Sequence, residues 1–190
     1  MSLRVVQAAA ENERNDDFHL ARLLVLLRSA DLRKSRASTK TRAIEGIMKL
    51  AKLDFLARYP TSLERVLTAL GGDPASALVQ PRERTSIEAK MIRFRYGPWD
   101  ARYRRWLGLL VSRTLITLVL DGNTIEIGLT QNGRKVADRI RQTVAYQDLR
   151  VRSDIIIKAV GSMSGTKLKT FIYDTIPEIL DMKWGQEIRY

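Results

Sequence analysis

The segment from Trp99 to Trp106 concentrates residue types that proteins use to bind nucleic acid. Its sequence, WDARYRRW, combines three arginines with three aromatic residues. Arginine pairs with phosphates and aromatic rings stack on bases, so this mixture is typical of a nucleic-acid surface. Tyr103 and Trp106, however, fall on the apolar face of a predicted helix. This position favours a role as core or interface anchors over a role as stacking platforms.

Six arginines are the candidate residues for binding nucleic acid or a protein partner. They are Arg93, Arg95, Arg102, Arg104, Arg105 and Arg113. Arg105 points away from the apolar helical face, and Arg102, Arg104 and Arg113 flank that face. Arg93 and Arg95 precede the helix and alternate with hydrophobic residues, so they extend the basic surface in one interpretation. In the other interpretation they are solvated charges on an edge strand.

Two further motifs carry weaker chemical signals. The segment GSMSGTK, from Gly161 to Lys167, places three residues between its glycines where a phosphate-binding P-loop has four, and Thr166 separates the second glycine from the lysine. We interpret it as a connector between helices.

His19 follows two aspartates, but no serine, cysteine or second histidine completes an acid–base device. With no cysteine and one histidine in the chain, we expect no enzymatic activity, no metal site and no cofactor.

Charge and composition restrict the class of protein. The formal net charge is +12 and the pI is near 10.3, which favours association with polyanions such as DNA. An acidic protein partner explains the same charge.

No stretch reaches the roughly 18 apolar residues that span a membrane, and we identify no signal peptide at the start of the chain. The absence of cysteine is compatible with a reducing compartment, so we expect a cytoplasmic protein without a membrane partner.

Hydrophobic spacing predicts a helix, a tight hairpin and a second helix between residues 99 and 141. Asp100 is a candidate N-cap, and the first helix is expected to end near Leu115. Asp-Gly at positions 121 and 122 predicts a tight hairpin turn. Thr130 is a candidate N-cap for a helix whose inward face carries Val136, Ala137 and Ile140. This order is typical of the second half of a winged-helix domain, with the hairpin as the wing.

The other elements complete a mainly helical α+β fold with additional N- and C-terminal helices. A helix at 18–32 is apolar almost all round, which predicts that it is either sandwiched or part of a dimer interface. We predict a further helix at 41–59 ended by Pro60, a cap at Thr61-Ser62, an exposed loop at 71–86 and a strand or extended arm at 87–96. Two more helices are predicted at 153–160 and 166–176. The division we expect is 1–40 (helix and basic connector), 41–150 (winged-helix core) and 151–190 (helical extension).

Several passages resemble one known family. They are Gly46 to Pro60 (GIMKLAKLDFLARYP), Leu63 to Leu67 (LERVL), Met91 to Asp100 (MIRFRYGPWD), Leu129 to Arg134 (LTQNGR) and Ser164 to Glu178 (SGTKLKTFIYDTIPE). Together they resemble the middle component of bacterial ABC-three-component systems of the Lamassu type. The resemblance covers roughly residues 44–178. The N-terminal forty residues match less clearly.

The resemblance implies a non-catalytic adaptor subunit in anti-phage or anti-plasmid defence. Such a subunit would bridge an ABC/SMC-type ATPase to an effector, commonly a nuclease, and would lie beside DNA held by the ATPase. The basic charge predicts weak, non-specific DNA contact. A winged-helix transcription regulator is the main alternative, and a homodimer joined through the apolar N-terminal helix is compatible with the adaptor function.

Overall fold

The computed structural model describes residues 15–33, 44–84 and 90–189, and these form a mainly helical α+β fold with small antiparallel sheets. The α-helices of the described part are α1 (Asp16–Leu32), α2 (Ile47–Arg58), α3 (Pro60–Ala69), α4 (Tyr103–Ser112), α5 (Gln131–Gln142), α6 (Gln147–Val160), α7 (Gly165–Thr175) and α8 (Glu178–Asp181). The strands are β1 (Ile44–Glu45), β2 (Ile92–Phe94), β3 (Gly97–Trp99), β4 (Ile116–Asp121) and β5 (Thr124–Leu129). Short 3-10 helices cover Pro74–Ala77, Pro81–Arg84 and Val144–Tyr146.

Helix α1 lies at the centre of the hydrophobic core. Its most extensive contacts are with α6 and α5, and it also contacts β5, α4 and α2. Leu23, Val25, Leu26 and Leu27 are fully buried although they point in different directions around the helix. The predicted sandwiching of this helix is therefore confirmed, and its core-forming partners are supplied by the chain itself. The basic connector predicted after it lies outside the described residues from position 34 to 43.

A three-stranded antiparallel sheet carries the predicted hairpin. Its strand order is β1-β5-β4, and Asp121 pairs with Thr124 across the turn. Gly122 occupies the turn with φ of 57°, a conformation that glycine adopts without strain. The Thr130 hydroxyl accepts a 2.9 Å hydrogen bond from the Gly133 N–H and so caps α5 as predicted. The hairpin and the helix that follows it are confirmed.

The helix predicted at 41–59 begins later than expected. Ile44 and Glu45 pair with β5 instead, and Gly46 has φ of 91°, which interrupts the chain before α2 starts at Ile47. Pro60 does end α2, but it also starts α3 as its first residue, where a missing N–H costs nothing. The predicted cap at positions 61 and 62 is therefore wrong, because both residues lie inside α3.

The predicted strand or extended arm at 87–96 is a short hairpin in its described part. Strand β2 pairs with β3, so Gly97 and Pro98 are part of a second strand that runs back along the first. The C-terminal tail packs beside it, with the Ile188 N–H donating to the Met91 carbonyl at 2.8 Å. The preceding loop, predicted as exposed, contains two 3-10 turns and buries Ala77 completely.

Helix α4 begins at Tyr103 with Arg102 at its N-cap position, so the predicted Asp100 cap is wrong, and the helix ends three residues before the predicted position. Thr114 has φ of 56°, and the Leu115 N–H reaches back to the Leu110 carbonyl at 2.9 Å, which closes the last turn. Tyr103, Trp106, Leu107 and Leu110 form the buried face. Val111, which was predicted to belong to this face, is 40% exposed because its position lies at the edge of the stripe.

The C-terminal helices follow the predicted pattern. Helix α6 is longer than predicted, since it begins at Gln147. The Ser164 side chain accepts a 3.2 Å hydrogen bond from the Lys167 N–H, so residues 161–164 are a connector that ends in a helix cap. Pro177 follows the end of α7 as expected. Among the described residues, the helices are too short or too polar to cross a membrane.

Candidate functional site

The arginine-rich start of α4 lies above a buried network of charged side chains. Asp54, on α2, is its centre and is completely buried. One oxygen of Asp54 accepts from Arg22 Nε at 2.7 Å, and the other accepts from Arg58 Nε at 2.9 Å and from the Tyr103 hydroxyl at 2.6 Å. Asp100 extends the network by accepting from Arg58 at 2.9 Å and from Arg102 at 2.8 Å.

The electrostatics of the network favour its charged form. Burial alone would raise the pKa of Asp54, but the cations Arg22 and Arg58 and the hydrogen bonds from Arg22 and Tyr103 hold it well below its ordinary value. For Asp100, burial is likewise outweighed by Arg102 and Arg58, which lower the pKa to about 2. Burial and the Asp54 charge raise the pKa of the Tyr103 hydroxyl, so it remains a donor. Both carboxylates are therefore structural anions at neutral pH.

Tyr103 and Trp106 are core residues. Both are fully buried, so neither ring offers a face to a nucleic-acid base. The Trp106 indole N–H donates to Asp16 at 3.0 Å, and His19 stacks on the ring with a centroid distance of 4.4 Å. The guanidinium carbon of Arg102 lies 4.9 Å from the centroid of the Trp106 ring, within the range of a cation–π contact. The aromatic part of the predicted nucleic-acid motif is thus used to build the fold.

The exposed arginines of α4 differ in what they contact. Arg105 pairs with Asp16, and Arg113 pairs with Asp17 at 2.9 Å, so both dock α4 against the start of α1. Such exposed ion pairs contribute little stability, about 0–1 kcal/mol, and they partly neutralise the surface. Arg104 is exposed on the same helix. Arg95 is exposed in the β2–β3 turn, where its guanidinium lies 5.2 Å from the Tyr96 ring centroid.

Arg93 does not belong to this surface. Its side chain is buried, and Nε donates to the Ile179 carbonyl at 2.9 Å while a second nitrogen donates to the Phe94 carbonyl. Its guanidinium also lies 5.3 Å from the Tyr173 ring centroid. Arg93 therefore joins the first small hairpin to the C-terminal segment and is not available to a phosphate or a partner.

A second basic site was not predicted from the sequence. Lys49 and Lys52 of α2 and Lys169 of α7 line an open cleft of about 460 Å³, together with Tyr96 of the β2–β3 turn. Burial and the neighbouring Lys169 charge lower the pKa of Lys52 to about 8. Burial also lowers the pKa of Lys49. The three lysines are separated by up to 120 positions in sequence, so no local pattern connects them.

The hairpin presents the most exposed apolar segment of the described chain. Strand β4 is an edge strand, and five of its six residues are exposed. Leu118 and Val119 are each 39% exposed and Leu120 is 71% exposed, although they point to alternate faces. Unpaired backbone groups and apolar side chains therefore lie together on one edge.

Comparisons with known proteins give no relative. The chain matches no protein-family model, no curated protein and no solved structure. The described residues contain no group of three or more histidine, aspartate or glutamate side chains placed to hold a metal ion.

Proposed function

We propose that this protein is a non-catalytic adaptor subunit built around a winged-helix unit. Its partners would be an ABC/SMC-type ATPase and an effector nuclease in a bacterial defence complex. The family resemblance in the sequence supplies the identity of these partners. The exposed edge strand β4 supplies the structural support for a docking role.

Strand order supports the winged-helix part of the proposal. Strand β1 lies between α1 and α2 in the chain and pairs with β5, the returning strand of the hairpin, while β4 lies on the outside. Helix α4 directly precedes the hairpin, as the third helix does in winged-helix domains. Residues 70–102, which include the β2–β3 hairpin, form an insertion between α3 and α4 in this interpretation.

Exposure of β4 is the single observation that carries the adaptor function. Edge strands with free backbone groups and apolar side chains pair readily with other chains, and proteins normally protect them with charges, proline or a covering element. In the part of the chain that the structure describes, no proline or covering element protects Leu118, Val119 and Leu120, and the one charged residue of β4, Asp121, lies at the turn. A partner that covers this edge would remove the apolar surface from water.

A winged-helix transcription regulator is the second candidate. Arg104 and Arg105 are exposed on α4, the helix in the position that enters the major groove in such regulators. Against this function, Arg105 is held by Asp16, and arginine is the main side chain on this face that suits recognition of a base edge. We therefore favour the adaptor.

Co-purification tests the proposal. The tagged chain is co-expressed with the products of its neighbouring genes, and the mass and composition of the eluate are measured in about 0.3 M salt, where DNA-mediated association is reduced. We expect a stable complex with a large ATPase. Elution of a lone chain that selects one DNA sequence would instead establish the regulator.

A pair of variants assigns the docking surface. Leu120→Lys places a charge on the β4 edge and is expected to release the ATPase without changing the melting temperature. Val144→Lys is the matched control, because Val144 is 83% exposed and lies away from the hairpin in a 3-10 turn. Retention of the ATPase by Leu120→Lys, or its loss in both variants, would refute docking through β4.

A further inference from the structure

The cleft between α2, α7 and the β2–β3 turn is lined, among the described residues, by more positive than negative side chains. Lys49, Lys52 and Lys169 line it, and Glu45 is its one carboxylate. The three lysines form no ion pair of 4 Å or less with any carboxylate in the described residues. The arginines of the Asp54 network, in contrast, are matched by buried aspartates.

Lys52 is the most unusual member of this cleft. The residue is 2% exposed, and its ammonium group donates to the Met48 carbonyl at 3.0 Å. An ammonium has three N–H donors, and burial of an incompletely paired cation is costly. The lowered pKa of Lys52 reflects that cost, with burial as its largest cause and Lys169 as its second. A bound anion would offset both causes at once.

Two further features of the cleft suit a phosphate oxyanion. The first turn of α7, an 11-residue helix, lines one side through Ser164, Gly165 and Thr166. The N–H groups and positive dipole end of such a turn stabilise anions, and the Thr166 hydroxyl adds a donor. This is the segment whose glycine and lysine spacing departs from a P-loop. The basic groups here come from α2 and from Lys169 instead of from Lys167.

The rim of the cleft carries an exposed aromatic ring. Tyr96 lines the cleft and is 45% exposed, and the exposed Arg95 packs on its ring. Aromatic rings beside a positively charged groove are the combination that binds single strands, because the groove follows the phosphates while the ring stacks on a base. A duplex, whose bases are stacked on each other, does not offer a base face to this ring.

We propose that the lysine cleft binds the phosphates of single-stranded nucleic acid, with Tyr96 stacking on a base. Lys49 and Lys169 contact the phosphates, the buried Lys52 adds its charge from the floor of the cleft, and the first turn of α7 contributes N–H donors. This proposal does not depend on the ATPase partner or on the β4 edge, so its failure would leave the adaptor function untouched.

Binding of a fluorescein-labelled ten-nucleotide oligo-dT to the full chain, followed by anisotropy between 50 and 200 mM salt, tests the proposal. Lys169→Gln is expected to weaken binding about tenfold and to reduce the slope of log K against log salt by about 0.7, the value for one phosphate of a single strand. Lys167→Gln is the matched control, since it removes the same charge from an exposed position two residues away on α7. Equal effects of the two variants would overturn the proposal.

Other variants test the remaining parts of the cleft. Lys52→Met removes the buried charge and tests its contribution to oligo-dT binding. If this variant does not fold, Lys49→Gln, at a half-buried position, repeats the test. Tyr96→Ala is expected to weaken oligo-dT binding about tenfold while Tyr96→Phe retains it. Unchanged binding by Tyr96→Ala would overturn the stacking contact.

Competition distinguishes the sources of the phosphate. We expect unlabelled oligo-dT to displace the probe at lower concentration than the same length of duplex, and inorganic phosphate at matched ionic strength to displace it only weakly. If inorganic phosphate competes as well as oligo-dT, the cleft is a site for free phosphate and the assignment to nucleic acid is wrong. If the duplex competes equally, the assignment to single strands is wrong.

Discussion

Replacement of Trp106 by alanine tests whether the aromatic residues of α4 belong to the core. The side chain is fully buried, and removal of a buried aromatic side chain typically costs about 3–5 kcal/mol. Trp106→Ala also removes the donor to Asp16 and the ring that packs on His19. Each lost contact leaves a polar group with fewer partners, so we expect a loss near the upper end of this range, about 5 kcal/mol.

Urea unfolding at neutral pH measures this loss directly. The matched control is Trp184→Ala, because Trp184 is 68% exposed and its truncation leaves the core intact; a change within about 0.5 kcal/mol is expected. Trp106→Phe separates the two contributions, since it retains an aromatic ring and loses the indole N–H. A change below about 1 kcal/mol for Trp106→Ala would refute the core assignment of α4.

Three further predictions concern the buried network, two helix glycines and a helix cap, all measured by urea unfolding. Asp54→Asn should cost about 3–5 kcal/mol at pH 7, because two buried arginines lose their shared anion. The folded pKa of Asp54 lies below the unfolded value of about 4, so the stability of the wild-type protein should fall as pH decreases from 5 towards 2. The variant lacks this carboxylate and should show a shallower decrease. Gly133→Ala should destabilise the fold strongly, because the added Cβ would lie 1.8 Å from the Leu115 carbonyl oxygen. Gly108, within α4, has open space around the position of a Cβ, so Gly108→Ala should stabilise the fold by about 0.5–1 kcal/mol. Thr130→Ala should cost about 1 kcal/mol through loss of the α5 cap.

Local signals predicted the part of the fold between residues 99 and 142 well. The stripe containing Trp106 and Leu110, the Asp-Gly turn and the Thr130 cap each act within a few residues, and each identifies its element without reference to the rest of the chain. The burial of α1 was equally accessible, because a helix that is apolar on all sides must be covered on all sides, but the sequence left open whether the chain itself or a second copy covers it. These elements include the hairpin on which the adaptor proposal rests.

Elements that depend on distant pairing were predicted poorly. Ile44 fits the apolar period of the helix that follows it, yet its backbone pairs with Ile127 more than 80 positions away. The positive φ of Gly46 separates the strand from the helix, and a lone glycine near a helix start is a weak signal. In the same way, β2 and β3 are too short to show a strand period, and their pairing is supported by the C-terminal tail.

Charged residues were the least predictable part of the site. Charged side chains are mostly exposed, so a charged residue is predicted to be exposed unless its partner is known. Arg22, Asp54 and Arg58 are each almost fully buried, and Arg22 and Asp54 meet across 32 positions. Only the spacing of Asp54 and Arg58, four residues apart on a helix, offered a local indication of one ion pair. Arg93 shows the same limit, since its acceptor, the Ile179 carbonyl, lies 86 positions away.

The different chemistry of arginine and lysine explains which positive charges of this protein are available to bind a polyanion. Arginine has a planar fork of donors that pairs with carboxylates, carbonyls and rings, so it can be buried when those partners are present. Arg22, Arg58 and Arg93 are used in this way, and an arginine-rich sequence therefore overstates the basic surface. Lysine carries a compact charge on a flexible stem and satisfies fewer buried acceptors at once. The lysines around Lys52 come from two helices, and among the described residues they outnumber the one carboxylate of their cleft, Glu45. They are for this reason a better guide to where the protein meets a polyanion than the arginines of α4.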